Sequence, residues 1–182
     1  MGFHHFLLML SNFLLLSMIT ISSARFSEKL IEPITAARME KTTKLHFYFH
    51  DKVSEPNATA VRIIGDRPGF GMTVMMDDAL TEGPDRGSKV VGRAQGLYSI
   101  AAQNDLSLLM VATYVFLEGS YKGSSISVLG RNHVFDDVRE MPIVGGSGVF
   151  RLGRGYALAH TVWADLKTGD VTVEYNVTVL HF

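Results

Sequence analysis

Leu45-His46-Phe47-Tyr48-Phe49-His50-Asp51 alternates bulky apolar residues with polar ones, and this period of two decides the fold. In an extended chain Leu45, Phe47 and Phe49 share one face, His46, Tyr48 and His50 the other, and Asp51 closes the apolar row. Similar stretches follow to the C-terminus. Residues 61–64 form a short strand after an asparagine-containing turn, and residues 70–76 form another, ended by Asp77-Asp78. Residues 89–102 alternate Val91, Arg93, Gln95 and Leu97 with Val90, Gly92, Ala94, Gly96 and Tyr98. Residues 106–117 are an apolar run that periodicity alone permits as a helix; their Val, Thr, Tyr and Phe content and the Glu118-Gly119 stop favour a strand.

With residues 123–129, 138–144, 148–164 and 171–182, nine β segments occupy the chain from residue 44 onward. Short turns rather than helices join them, which predicts an all-β domain, either a closed antiparallel barrel or a sandwich. Glycines inside strands (Gly92, Gly96, Gly153, Gly155) suit the kinks that closure demands and favour the barrel. A barrel of eight strands is just wide enough to hold a small ligand.

A length of 182 residues favours one domain, and 47% hydrophobic against 19% charged residues supports a sizeable core and excludes a disordered chain. The net charge of −1, without a Lys/Arg cluster, excludes nucleic acid as a partner. Residues 6–21 are apolar but interrupted by Ser11, Asn12, Ser17 and Thr20, and end in Ile21-Ser22-Ser23-Ala24. That layout reads as a cleaved secretory signal peptide over residues 1–24, not as a membrane anchor. Residues 25–43 then form an extended N-terminal segment and 44–182 the barrel domain, exported to the extracellular space. The chain has no cysteine, which removes thiol chemistry, iron–sulfur clusters and cysteine-ligated zinc. Asn57-Ala58-Thr59 and Asn176-Val177-Thr178 fit the N-glycosylation pattern, Asn57 in a turn and Asn176 on the outward face of the last strand.

Asp51, on an inward apolar row, reads either as an acid with a raised pKa at the mouth of a cavity or as a turn-capping strand end. Arg154, in Phe150-x-Leu152-x-Arg154-x-Tyr156, reads as a partner for a carboxylate or phenolic oxygen, or as an arginine reaching to the rim. Gly145-Gly146-Ser147-Gly148 is followed by a strand, not a helix, so it is a bulged turn and not a phosphate loop. His46 and His50 are expected at the surface, and Asp77 and Asp78 face opposite ways, so neither pair makes a site. No metal or cofactor site is expected.

Several strings resemble the plant dirigent family. They are Phe47-Tyr48-Phe49-His50-Asp51, Val91-Gly92-Arg93-Ala94-Gln95-Gly96-x-Tyr98, Leu129-Gly130-Arg131-Asn132, Val144-Gly145-Gly146-Ser147-Gly148-x-Phe150, Arg154-Gly155 and Val173-Glu174-Tyr175-Asn176-Val177. The resemblance runs in order from about residue 44 to the end. It implies an eight-stranded antiparallel barrel of lipocalin and allene-oxide-cyclase type, assembled as a homo-oligomer (dimer or trimer) and exported to the apoplast. It implies stereoselective coupling of phenoxy radicals from monolignols such as coniferyl alcohol into lignans, with a separate oxidase making the radicals and no cofactor on this chain. Alternatives are a dehydratase or cyclase acting through a quinone methide on an isoflavonoid-type alcohol, and a non-catalytic phenolic-binding protein. By motif position the resemblance makes Asp51 and Arg154 the catalytic pair, beside Phe49, Tyr98, Phe150 and Tyr156 as substrate contacts. The lignan-forming subgroup carries a second aspartate just after its glycine turn, and commonly cysteines; this chain has Val149 and no cysteine.

Overall fold

The computed structural model describes residues 39–182; the expected signal peptide and the first part of the N-terminal segment lie outside them. Nine strands follow one another: β1 (Lys41–Asp51), β2 (Ala60–Ile64), β3 (Thr73–Thr81), β4 (Val90–Ile100), β5 (Ser107–Phe116), β6 (Ser125–His133), β7 (Arg139–Ser147), β8 (Arg154–Ala164) and β9 (Val171–His181). Antiparallel hairpins link β3 to β9 in chain order, and β1 pairs with β9 from Lys41↔His181 to Asp51↔Val171. Three further pairs, Tyr48↔Thr81, Phe49↔Leu80 and His50↔Ala79, join β1 to β3 and close the ring. Eight strands therefore form the barrel, and β2 adds a ninth along the other half of β3, from Ala60↔Met76 onward.

Closure explains two strand glycines. Gly96 and Gly155 have φ of +150° and +156°, and a Cβ on either would overlap a carbonyl oxygen of the adjacent strand, that of Val111 or of Thr178. No side chain fits where the sheet bends this tightly.

The barrel interior is the core. Phe47 stacks on Tyr175 with ring centroids 5.6 Å apart, and Tyr114 meets both edge-on. Towards the start of β1 the interior is sealed by Phe116, Tyr121, Phe150 and His181, with Tyr121 and Phe150 at 5.0 Å and Phe150 and His181 at 5.2 Å. His181 Nε2 and Thr43 Oγ1, both buried, hydrogen-bond at 2.8 Å there.

Three segments differ from the sequence reading. The strand expected over 70–76 begins later and runs through both aspartates to Thr81, because Asp77 faces outward and is satisfied by Arg93 Nε at 2.9 Å and Gln95 Nε2 at 3.2 Å. The expected strand over 148–164 is broken: a 3-10 turn spans Gly148–Phe150, Leu152 has φ +61°, and β8 starts only at Arg154. His50 is buried on the outer face of β1, between Thr81 Oγ1 at 2.7 Å and Thr172 Oγ1 at 3.2 Å. Among the described residues no helix is long and apolar enough to cross a membrane.

Candidate functional site

Opposite the aromatic seal, the barrel opens into a cavity of about 880 Å³. The C-terminal ends of β1, β4, β6 and β8 and the N-terminal ends of β2, β3, β5, β7 and β9 supply its walls. Most of the lining is apolar: Phe49, Val74, Leu108, Met110 and Val173 among others. A few polar groups converge on it, and that combination is the usual make-up of a small-molecule site.

Asp51 is the first of these. Alternation along β1 turns Phe47, Phe49 and Asp51 inward, so the strand delivers a carboxyl into an apolar space with 7% of its surface exposed. Among the described residues its Oδ1 has no hydrogen-bond partner. Asp78 lies one position beyond the last β1–β3 pair, His50↔Ala79, near enough for the Asp51 charge to act on it. Asp78 is fully buried; Thr59 Oγ1 donates a hydrogen bond to its Oδ1, and among the described residues its Oδ2 has no partner.

Burial disfavours both charges. It drives Asp51 up to about 6, with the neighbouring Tyr98 phenol pulling it down, Asp170 pushing it up and Arg86 pulling it down. Asp78 is driven up to about 7 by burial and then by the Asp51 charge, against hydrogen bonds from Thr59 and the Lys52 amide and the more distant Arg93 charge. Burial in an apolar site thus favours the protonated form of each carboxyl towards neutrality, and the Asp51 charge adds to the effect at Asp78. Asp51 borders the cavity; Asp78 stands behind it.

Three polar side chains complete the interior. Tyr98, on β4, is held far above its usual range by burial and then by the Asp51 charge, so it stays a neutral donor. Arg139 opens β7, 5% exposed, and lies three strands round the ring from β1. Its Nε donates to Asn132 Oδ1 at 3.1 Å and its Nη1 to the Asp136 carbonyl at 3.3 Å. Burial lowers its pKa, against the Tyr175, Asp136 and Asp137 charges, but a guanidinium remains charged, and this one borders the cavity with no carboxylate salt bridge among the described residues. It suits a developing phenolate.

The structure brings Asp51, Phe49 and Tyr98 together and separates the other expected residues from them. Arg154 pairs with Leu180 and Asp51 with Val171, nine positions apart on β9, so roughly 30 Å divides them. Arg154 is 61% exposed and pairs with Glu40 Oε1 at 2.5 Å. Tyr156 faces outward on β8, and Phe150 is wholly buried in the aromatic seal. The expected common row fails because the left-handed Leu152 turns the chain between Phe150 and Arg154. Val149, half-exposed on that same turn, is also at the sealed end. Asn57 and Asn176 are both exposed, Asn57 in the β1–β2 loop with φ +65°. Among the described residues no cluster of His, Asp or Glu could hold a metal ion.

Sequence reasoning missed Asp78, Arg139 and Asn132. Each shares an inward row with apolar neighbours: Met76 and Leu80 flank Asp78, Met141 and Ile143 follow Arg139, and Val128 precedes Asn132. A polar residue interrupting an apolar row of period two was the available signal.

A profile of the family described as Dirigent-like protein matches residues 42–180. Dirigent protein 23 of Arabidopsis thaliana is 49% identical over 78% of this chain and 79% of its own length. Pterocarpan synthase 1 of Glycyrrhiza echinata is 43% identical over 93% of both chains. A solved pterocarpan synthase dirigent protein superposes with a TM-score of 0.76 at 45% identity, over 79% of this chain and 86% of that one.

Proposed function

The chain belongs to the dirigent family, and on that premise we propose that it is a dehydratase and cyclase acting through a quinone methide on an isoflavonoid-type alcohol. The observation that carries this reading is the buried Asp51–Asp78 pair, a proton store facing an apolar cavity. Loss of a benzylic hydroxyl needs a proton donor at near-neutral pH, which an ordinary surface carboxyl does not supply. Radical coupling needs orientation but no such acid.

Protonated Asp51 gives its proton to the benzylic hydroxyl as the carbon–oxygen bond breaks, and water leaves. With the substrate's phenol ionised against the Arg139 guanidinium, a neutral quinone methide remains. A second hydroxyl of the same molecule adds to the electrophilic carbon, and its proton returns to Asp51. The net change is loss of one water, with the acid restored and no oxidant consumed. The cavity walls contribute by holding the nucleophilic oxygen near one face of the carbon. Relatives similar over nearly the whole chain include two pterocarpan synthases, which supports the same reading.

Steering of monolignol radicals is the second reading, favoured by a cavity volume near the top of the range for ligand pockets, which leaves room for two phenols. Its radicals would come from a separate oxidase. For either reaction we propose an exported, N-glycosylated homo-oligomer. An outward apolar row, Val61, Met75, Leu97, Val111 and Leu129, runs in register across β2 to β6 and supports a contact between copies.

Two incubations separate the readings. An isoflavonoid-type alcohol carrying a second hydroxyl, incubated anaerobically, is expected to give one enantiomer of its cyclised, dehydrated product on chiral chromatography. An inert alcohol, combined with an optically active lignan from coniferyl alcohol plus laccase, would overturn the first reading in favour of the second.

A further inference from the structure

Asp170, in the β8–β9 loop, is 4% exposed and lies outside the cavity wall, yet every atom of its carboxylate is engaged. Oδ1 accepts from the amides of Val53 at 3.0 Å and Ser54 at 2.9 Å. Oδ2 accepts from Ser54 Oγ at 2.8 Å and Arg86 Nη1 at 2.9 Å. Three loops, β1–β2, β3–β4 and β8–β9, thus meet on one side chain. Arg86 lies over the Trp163 ring on the barrel exterior, 5.2 Å from its centroid.

The β1–β2 loop held in this way begins immediately after Asp51. Its Lys52 carbonyl accepts from the amides of Thr59 at 2.8 Å and Ala60 at 3.0 Å, and its Lys52 amide and Thr59 hydroxyl reach Asp78. Gly169, with φ +84°, lets the β8–β9 loop pass close to Val53. A tether outside the barrel therefore sets the loop that solvates one acid and continues from the other.

We propose that Asp170 is a positioning residue for the Asp51–Asp78 pair, and that Arg86, clasped by Trp163, is the counter-charge that tunes it. The proposal rests on the acid–base reading above. Two opposite charges sit behind Asp51: Asp170 disfavours its ionisation and Arg86 favours it. Burial pushes Asp170 itself up, but the Ser54 and Arg86 hydrogen bonds outweigh this and keep it ionised. The other titratable groups facing the pair are Tyr98 from β4, Tyr175 from β9 and Arg139 from β7, with Arg93 acting on Asp78. Glu55, Arg62 and Lys167 stand further out on the cavity wall. None of these changes in the variants below.

The test is a titration of the Asp51 side-chain carboxyl by carbon-13 NMR, which needs no turnover. Asp170→Asn keeps an acceptor for the two amides and removes the charge; its Asp51 midpoint is expected to fall by about one pH unit. Arg86→Gln leaves Asp170 uncompensated, and its midpoint is expected to rise by a similar amount. The double variant is expected to return towards the parent value. Asp170→Ala alone is expected to speed hydrogen exchange at the Val53 and Ser54 amides. Midpoints that stay put, or that shift in the same direction in both single variants, would overturn the proposal. Midpoints that move as stated in a protein without dehydratase activity would instead count against the reaction, leaving the tether intact.

Discussion

The two ends of one barrel use the same inward rows for opposite purposes. At the sealed end, Phe116 meets Phe47, Phe150 and Tyr121 edge to face, and Tyr121 tilts against Phe150. At the open end the same strands deliver Phe49, Asp51, Tyr98 and Arg139 around a cavity of about 880 Å³. Burial stabilises the first set, because aromatic surface is removed from water. It strains the second, because carboxyls there must stay partly protonated. Stability is thus concentrated at one end and reactivity at the other.

Asp51→Asn is expected to have the largest effect, a loss of about 10²–10⁴-fold in dehydration rate with secondary structure retained, read by single-turnover product analysis. If both ends supported the reaction equally, this contrast would vanish. Phe150→Ala, by contrast, is expected to cost about 3–5 kcal/mol in a denaturant melt while the enantiomer of any product formed stays the same. A change of product stereochemistry in that variant would break the division between the ends.

Stability should also depend on pH with a definite sign. Asp51 and Asp78 have folded values of about 6 and about 7, above the ordinary 3.8, so the folded state binds more protons than the unfolded state between pH 4 and 7. The pair's contribution is favourable below this window and is lost as pH rises through it. The Asp51→Asn/Asp78→Asn double variant is therefore expected to be about as stable as the parent near pH 4 and more stable by a few kcal/mol at pH 8. Equal melting curves at both pH values would contradict the buried pair. Arg154→Ala is expected to change stability and turnover least, within about 0.5 kcal/mol, since its ion pair with Glu40 is exposed.

The fold was legible because alternation survives in nearly every strand, and the β5 run, open to a helical reading by period alone, carries strand-forming residues. Asp51, Phe49 and Tyr98 were legible for the same reason, as members of inward rows. Phe150 does not share a face with Arg154 and Tyr156, because a left-handed residue at Leu152 flips the chain, and spacing does not reveal a single φ. Asp78 was hidden by its neighbour: Asp77 faces solvent and made the pair look like a strand end. Asp170 was out of reach, since its four contacts come from loops far apart in sequence.

Infrared difference spectroscopy across pH 4 to 8 tests the chemical claim most directly, because a protonated carboxyl has a carbonyl stretch that an ionised one lacks. A protonated-carboxyl band that persists at pH 6 and disappears in the Asp51→Asn/Asp78→Asn variant is the expected result. Complete ionisation of every carboxyl by pH 5 would contradict an acid held ready at the open end of the barrel.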